Sequence, residues 1–239
     1  MLGRSDNAAA VTELGAALSD ADTVVCRDAA LSLADIARRH PTMPGLDQVT
    51  TGLIAALTST DRELRLACIQ ALGVLASPAV LPRLAVLPRL AVLPRLMVLL
   101  TDEDAAVRSL TIQTVTSLAQ NNCESDAPLS ADELDKLTMH LLERLQDSDT
   151  LVRATAAESL VNLVQPLRTA GNSARVQQLI ELITHTGLTS DGNQARVMGR
   201  ALRRIDTETV AEVLLPLFDT LSNSRQRRAL MEMLEEVFA

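Results

Sequence analysis

The chain has 239 residues, of which 47% are hydrophobic and only 1% aromatic, and its formal net charge is −8 at pH 7. The length allows one or two globular domains, and the apolar content is sufficient for an aliphatic core. The acidic balance argues against a general nucleic-acid binder, because such proteins gain affinity by neutralising phosphates.

The ends and the cysteines of the chain predict a cytoplasmic protein. The first residues are not followed by the apolar segment of a signal peptide, and no apolar run reaches the length needed to cross a bilayer. The three cysteines are odd in number, and none belongs to a C-x-x-C pair. We expect reduced thiols, with Cys26 and Cys68 packed as small apolar side chains.

Apolar residues recur every three to four positions along most of the chain, which is the period of one helix face. Residues 1–7 are expected to fray, and the prolines at 41 and 44 end the second helix. Ser130 and Glu133 form a capping box at the start of a later helix. The helices with predicted bounds are 8–18, 22–39, 46–57, 61–76, 104–120, 149–164, 174–186, 193–205, 208–221 and 225–238.

A turn motif recurs between these helices and consists of a Leu, an Asp four residues later and an Arg four or five residues after the Asp. The Asp suits a helix N-cap, because its carboxylate accepts hydrogen bonds from the first N–H groups. Weaker copies follow, with Arg196 after Leu188 and with Arg227 and Arg228 after Leu221. The full copies are Leu18, Asp22 and Arg27; Leu57, Asp61 and Arg65; Leu100, Asp104 and Arg108; and Leu145, Asp149 and Arg153.

These arginines recur about every 38 to 45 residues, and a helix pair with that period is typical of the HEAT/armadillo class. With these turns, and with Pro94 and Pro216 in the first helices of their units, the chain resembles a HEAT-repeat protein. The resemblance implies an all-α fold, a right-handed α-solenoid of about six HEAT-like helix pairs, in one domain over residues 1–239. It also implies a structural ladder of hydrogen bonds between neighbouring turns, formed by Asp22, Arg27, Asp61, Arg65, Asp104, Arg108, Asp149 and Arg153.

Three identical copies of Ala-Val-Leu-Pro-Arg-Leu occupy residues 79–84, 85–90 and 91–96. A six-residue step leaves successive prolines on different faces of a helix, and each internal Pro costs about 3 kcal/mol. We expect one copy to begin a helix with Pro94 in its first turn, where the missing N–H is harmless. The other two form an irregular insertion within 79–96, which is either a tolerated expansion or a proline-rich docking loop.

No residue pattern indicates catalysis or a metal site. His40, His140 and His185 lie in different units without a second ligand nearby, and Cys123 with His140 lacks a third member. The phosphate-binding, nucleophile-elbow and zinc-protease motifs are absent. We therefore expect no enzymatic activity, no metal and no cofactor.

A row of arginines near the C-terminus is the candidate binding site. Arg196, Arg200, Arg203 and Arg204 follow helical spacing on one face, and Arg227 and Arg228 come one unit later. One interpretation is a basic strip on the concave face that binds an acidic segment of a partner. The alternative is a solvated face neutralised by Asp206, Glu208 and Glu212.

The sequence thus predicts a non-enzymatic scaffold or adaptor whose partner is another protein. We expect no membrane partner, no small-molecule ligand and no nucleic acid. The alternatives are an accessory subunit of an enzyme, such as the HEAT-like proteins that attach bilins, and a nucleic-acid-associated HEAT protein. The latter predicts steeply salt-dependent binding through the C-terminal arginines.

Overall fold

A computed structural model of the chain describes residues 2–75, 86–121, 129–189 and 192–239, and within these ranges it contains thirteen helices and no strand. The predicted all-α fold is confirmed. The helices are α1 (Leu2–Ala17), α2 (Thr23–Arg39), α3 (Val49–Ala56), α4 (Arg62–Leu75), α5 (Val86–Leu99), α6 (Ala105–Asn121), α7 (Ala131–Arg144), α8 (Thr150–Asn162), α9 (Val164–Thr169), α10 (Ser173–Thr189), α11 (Gly192–Leu202), α12 (Thr207–Thr220) and α13 (Ser224–Phe238).

The helices are arranged in two compact units, Met1–Ala127 and Pro128–Ala239. In the first unit α2 packs on α4 and α4 packs on α6, while α1, α3 and α5 pair with them. In the second unit α8 packs on α11 and α11 packs on α13, with α7, α10 and α12 as the other helices of the pairs. The single continuous solenoid over residues 1–239 stays a prediction.

Each unit has an aliphatic core, to which most helices contribute one face, while α6 and α8 are buried on most sides. Leu33, Leu72 and Ile112 are fully buried in the first unit. Leu141 and Leu160 are fully buried in the second. Burying each such side chain contributes about 1.5–3 kcal/mol, so the stacked pairs rather than the single helices carry the stability.

Side-chain caps begin the helices where the sequence predicts them. Asp22 accepts from the N–H of Val24, and Asp149 accepts from the N–H groups of Leu151 and Val152. The predicted capping box is confirmed, with Ser130 and Glu133 exchanging side-chain to backbone bonds. Asp61 and Asp104 likewise accept from N–H groups of the first turns of α4 and α6.

Several predicted boundaries are wrong, among them the start of α3 at Val49 rather than 46 and the end of α10 at Thr189 rather than 186. Helix α1 begins at Leu2, so residues 2–7 are helical rather than frayed. Helix α11 ends at Leu202, three residues before the predicted end. After α8 the short helix α9 contains Pro166, which is tolerated because the missing N–H belongs to its first turn.

The prediction for the proline hexads is also wrong in part. Helix α5 begins at Val86, so most of the second copy and all of the third are helical, and Pro94 lies well inside the helix. Pro94 is exposed, whereas Val92, Leu93 and Leu96 are buried. Burial of this apolar face outweighs the cost of one missing hydrogen bond. The first copy, at 79–84, lies outside the described residues.

Candidate protein-binding site

The arginines predicted to bind a partner lie on α11 and in the turn after it. Arg196 and Arg200 are on the exposed side of α11, opposite the buried Met198. Because α11 ends at Leu202, Arg203 and Arg204 belong to the turn that leads to α12 rather than to the helix. Both are exposed.

Two glutamates of α13 face the arginines of α11. Arg200 donates from Nε to Oε2 of Glu236 at 2.9 Å and from Nη2 to Oε1 at 3.2 Å. These hydrogen bonds raise the pKa of Arg200 and lower the pKa of Glu236. Arg196 Nε lies 3.9 Å from Glu232 Oε2. Arg228 Nε, on α13 itself, donates to Glu232 Oε1 at 3.2 Å.

Among the acidic residues named in the alternative interpretation, Asp206 pairs with an arginine outside the candidate site. Arg168 Nη2 donates to Oδ2 of Asp206 at 2.6 Å, and the N–H of Thr209 donates to Oδ1 at 2.9 Å. These bonds hold the pKa of Asp206 well below its usual range. Glu208 and Glu212 are exposed and form no ion pair with described residues. In the described part of the chain, no carboxylate lies within ion-pair distance of Arg203 or Arg204, although the charge of Arg203 contributes to the lowered pKa of Glu236.

A glycine brings α11 and α13 close enough for these ion pairs. A Cβ at Gly199 would lie 2.6 Å from the carbonyl oxygen of Met233 and 2.9 Å from its Cα. Only glycine permits this approach, because both neighbours are backbone atoms. The carboxylates of Glu232 and Glu236 can therefore reach Arg196 and Arg200.

Arg227 makes a contact that differs from those of the other candidates. Its Nε donates to the carbonyl oxygen of Leu221, six residues earlier, at 2.6 Å. The N-cap of α13 is Asn223, four residues before Arg227. Arg227 thus has the same relation to its N-cap as the regular turn arginines have to theirs, with Asn in place of Asp.

The regular arginines bind the carbonyl groups of their own turns. In each case Nη1 donates to the carbonyl oxygens six and five residues earlier. The distances are 3.0 and 3.1 Å for Arg65, 2.8 and 3.0 Å for Arg108, and 2.8 and 3.0 Å for Arg153. These carbonyls lie in the tight turns, so each arginine fixes the connection between two helices.

Contacts between neighbouring turns use a second acidic residue. Arg65 Nη2 donates to Asp102 Oδ1 at 2.9 Å, and its Nε lies 2.9 Å from Asp102 Oδ2. Both side chains are buried, with 6% and 8% of their surface exposed. Asp104 instead accepts from Arg62 Nε at 2.7 Å. Sequence reasoning missed Asp102 and Arg62, although an Asp two residues before the N-cap recurs as Asp20, Asp102 and Asp147.

Comparison with known proteins agrees with this repeat geometry. A family model described as HEAT repeat matches residues 140–167. An engineered protein solved by the Northeast Structural Genomics Consortium is 20% identical, with a TM-score of 0.57 over 95% of this chain and 96% of that chain. A second engineered protein from the same consortium is also 20% identical, with a TM-score of 0.58 over 95% and 98% of the two chains. The chain has the fold of a HEAT/armadillo-like repeat protein.

A designed armadillo repeat protein in complex with the peptide (KR)4 has the same fold. It is 15% identical to the present chain, with a TM-score of 0.57 over 94% of this chain and 98% of that chain. Among curated proteins no match is found. These likenesses establish the repeat fold and leave the binding site to be argued from the side chains.

The first repeat of the chain departs from the ladder. Arg27 does not reach its own turn; its Nε and Nη2 donate to Asp28 Oδ1, at 3.0 and 2.9 Å. The neighbouring N-caps are joined by Thr23, whose hydroxyl lies 3.5 Å from Asp61 Oδ2. Arg27 is thus a surface residue, and its one-residue offset in the sequence explains why it lies outside the turn.

No cluster of three or more His, Cys, Asp or Glu side chains that could hold a metal ion occurs among the described residues of the protein. His140 lies 3.7 Å from Glu143, one turn away on α7. Cys123 lies outside the described residues. No described helix is long and apolar enough to span a membrane.

Proposed function

We propose that this HEAT/armadillo-like protein is a non-enzymatic scaffold that binds an acidic segment of another protein. The proposed binding residues are Arg196, Arg200, Arg203, Arg204, Arg227 and Arg228. The observation that carries the proposal is that Arg203 and Arg204 are exposed and form no ion pair with any described residue.

Guanidinium groups suit this role because they bind carboxylates with two parallel hydrogen bonds and stay charged at any physiological pH. Arg203 and Arg204 adjoin Arg200, so three guanidinium groups lie within five positions of an otherwise acidic chain. Such a concentration of one charge attracts and orients a segment of opposite charge.

The ion pairs of Arg196 and Arg200 with α13 are compatible with binding. The exposed fractions of these two arginine side chains are 52% and 63%. Exposed ion pairs are worth about 0–1 kcal/mol, so either arginine can exchange its glutamate for a carboxylate of the partner at little cost. The two pairs keep both guanidinium groups near the surface until a partner arrives.

The designed armadillo repeat protein supports peptide recognition by this fold, since it is in complex with the basic peptide (KR)4. In the present chain the exposed Arg203 and Arg204 form no ion pair with described residues, so a segment of the opposite charge suits this site. We further propose a cytoplasmic location, supported by Cys26 and Cys68, which are buried as free thiols.

The test is fluorescence anisotropy of the full chain with a labelled peptide of alternating Glu and Gly. The variant Arg203→Glu/Arg204→Glu should weaken binding by at least about tenfold, which corresponds to about 1.4 kcal/mol. The matched control is Arg38→Glu/Arg39→Glu, which reverses two consecutive exposed arginines at the end of α2. We expect the control to bind like the parent chain.

Equal affinity of both variants and the parent for the acidic peptide would contradict the proposed site. A single-stranded oligonucleotide of matched charge forms the second arm of the experiment. Preference for the oligonucleotide, with affinity falling steeply as salt rises, would instead support the nucleic-acid alternative.

A further inference from the structure

The outward face of α13 is a stripe of exposed residues that includes two large apolar side chains. Ser224, Met231 and Phe238 are spaced by seven residues, which places them within about 20° of one line along the helix. The exposed fractions of Met231 and Phe238 are 47% and 55%. The buried side of the helix, which packs into its unit, holds Ala229, Leu230, Met233 and Val237.

Opposite charges lie on the same side of this stripe, one toward each end of the helix. Arg228 precedes Met231 by three residues and Glu235 follows it by four. At about 100° per residue, the two side chains are turned by about 60° and 40° from Met231 in the same direction. Glu235 forms no ion pair with described residues. Arg228 has 83% of its side chain exposed while contacting Glu232.

We propose that this face binds the same face of a second copy of the chain, as an antiparallel helix pair with a two-fold axis at Met231. This axis is perpendicular to the plane that contains the two helices. It reverses the direction of the second helix and leaves each residue of that helix on the same side of the plane as its equivalent in the first. It therefore places Arg228 opposite Glu235 of the second copy, and Glu235 opposite Arg228 of that copy. The axial separations from Met231 are about 4.5 and 6 Å, so the two partners lie within about 2 Å of the same level.

The apolar residues are self-complementary in the same arrangement. Met231 contacts Met231 of the second copy on the axis, and Phe238 covers the small Ser224 at each end. This is an isologous interface, in which every contact occurs twice. A parallel arrangement would instead bring the basic N-terminal halves of the two helices together, with Arg227 and Arg228 opposed to like charges. The charge order along α13 thus selects the antiparallel pair.

The length of the helix limits the strength of this association. Fifteen residues of α13 extend about 22 Å, and one helix pair of that length buries less than the roughly 1,200 Å² of a standard stable interface. We therefore expect a dimer that forms at high protein concentration and dissociates on dilution. The pair shares Arg228 with the proposed acidic-peptide site but does not use Arg203 or Arg204, so reversing those two charges should leave self-association unchanged.

Sedimentation velocity of the full chain over a concentration series tests the proposal. In Arg228→Glu, positions 228 and 235 are both negative. In Glu235→Arg, both positions are positive. Each single variant should weaken self-association at least about tenfold. An equimolar mixture of the two should restore it, because the mixed pair has opposite charges at both contacts. Circular dichroism checks that both variants keep the parent helix content.

A second variant locates the axis without altering charge. Met231→Cys should form an intermolecular disulfide between the two introduced residues, identified by mass spectrometry. Met139→Cys, at an equally exposed position on α7, should not. A parent chain that stays monomeric at every concentration would overturn the proposal. So would a dimer that both charge variants leave unchanged, or a mixture that fails to associate while each variant is folded.

Discussion

Cys26 occupies in α2 the position that Arg65 occupies in α4, four residues after the aspartate that caps the helix. The thiol of Cys26 donates to the carbonyl oxygen of Asp20 at 3.3 Å, six residues earlier. The guanidinium of Arg65 donates to the carbonyl oxygen of Ser59, also six residues earlier, at 3.0 Å. The first repeat therefore keeps the ladder position with a small side chain, and the adjacent Arg27 is not its equivalent.

This equivalence predicts unequal effects of removing the two arginines. Arg65→Ala should lower the free energy of unfolding by about 3–5 kcal/mol, because it leaves Asp102 as a buried charge without its ion partner. It also removes the donor to two turn carbonyls. Arg27→Ala should leave the urea midpoint nearly unchanged, since among the described residues Arg27 forms its hydrogen bonds and ion pair with the exposed Asp28 alone. Urea unfolding followed by circular dichroism measures both.

The close contact between α11 and α13 at Gly199 predicts that a larger residue there destabilises the fold. In an exposed helix, replacing Gly by Ala stabilises by about 0.5–1 kcal/mol. At Gly199 the new methyl group would meet backbone atoms of Met233, so we expect Gly199→Ala to destabilise by about 1–3 kcal/mol through overpacking. Thermal unfolding measures the change.

Gly192→Ala is the matched control for this substitution. Gly192 is also on α11, but the nearest atoms to its missing Cβ are the far end of the Glu232 side chain, which can rotate away. We expect a change well below that of Gly199→Ala. An equal loss of stability in both variants would show that the backbone contact with Met233 is not the cause.

The fold was predictable because its signals are local and repeated. Helical spacing of apolar residues located most helices, and Asp22, Asp104 and Asp149 are caps as predicted. The Ser130 and Glu133 pair also formed its capping box. In each case a short stretch of sequence contains both partners of the interaction, so the prediction did not depend on how the helices pack.

The contacts that the sequence does not predict are those that depend on packing between helices. Glu232 and Glu236 reach α11 only because Gly199 lets the helices approach closely. Pro94 lies inside α5 rather than in its first turn because the burial of Leu93 and Leu96, a result of packing, outweighs the cost of the proline. Asp102 was missed as the partner of Arg65 because the pair joins residues 37 positions apart.

The thiol of Cys68 should resist alkylation in the folded protein. Burial, with a smaller effect of Cys26, raises its pKa to about 12, above the ordinary value of about 8.5. The neutral thiol therefore favours the folded state below about pH 8.5, and this contribution is lost as the pH rises toward 12. Mass spectrometry of the Cys68 peptide after iodoacetamide treatment at pH 8 should show labelling in urea and very little without it. Equal labelling rates in both conditions would contradict the burial of this residue.

The ion pair of Arg168 with Asp206 predicts part of the acid sensitivity of the second unit. The hydrogen bond from Arg168, with those from Thr209, lowers the pKa of Asp206 in the folded state, whereas the unfolded value is about 3.9. The carboxylate therefore stabilises the fold above about pH 3.9, and its contribution is lost as the pH falls through the lowered folded value.

Asp206→Asn isolates this charge, because Asn is an equally good N-cap for α12. Urea midpoints should fall less steeply below about pH 4 in Asp206→Asn than in the parent chain, since the variant has no proton to take up at this site. The exposed fraction of the Asp206 side chain is 44%, so the difference should shrink as salt is added. Parallel pH profiles of the two proteins would contradict a lowered pKa at Asp206. A difference that persists at high salt would instead point to a loss of capping rather than of charge.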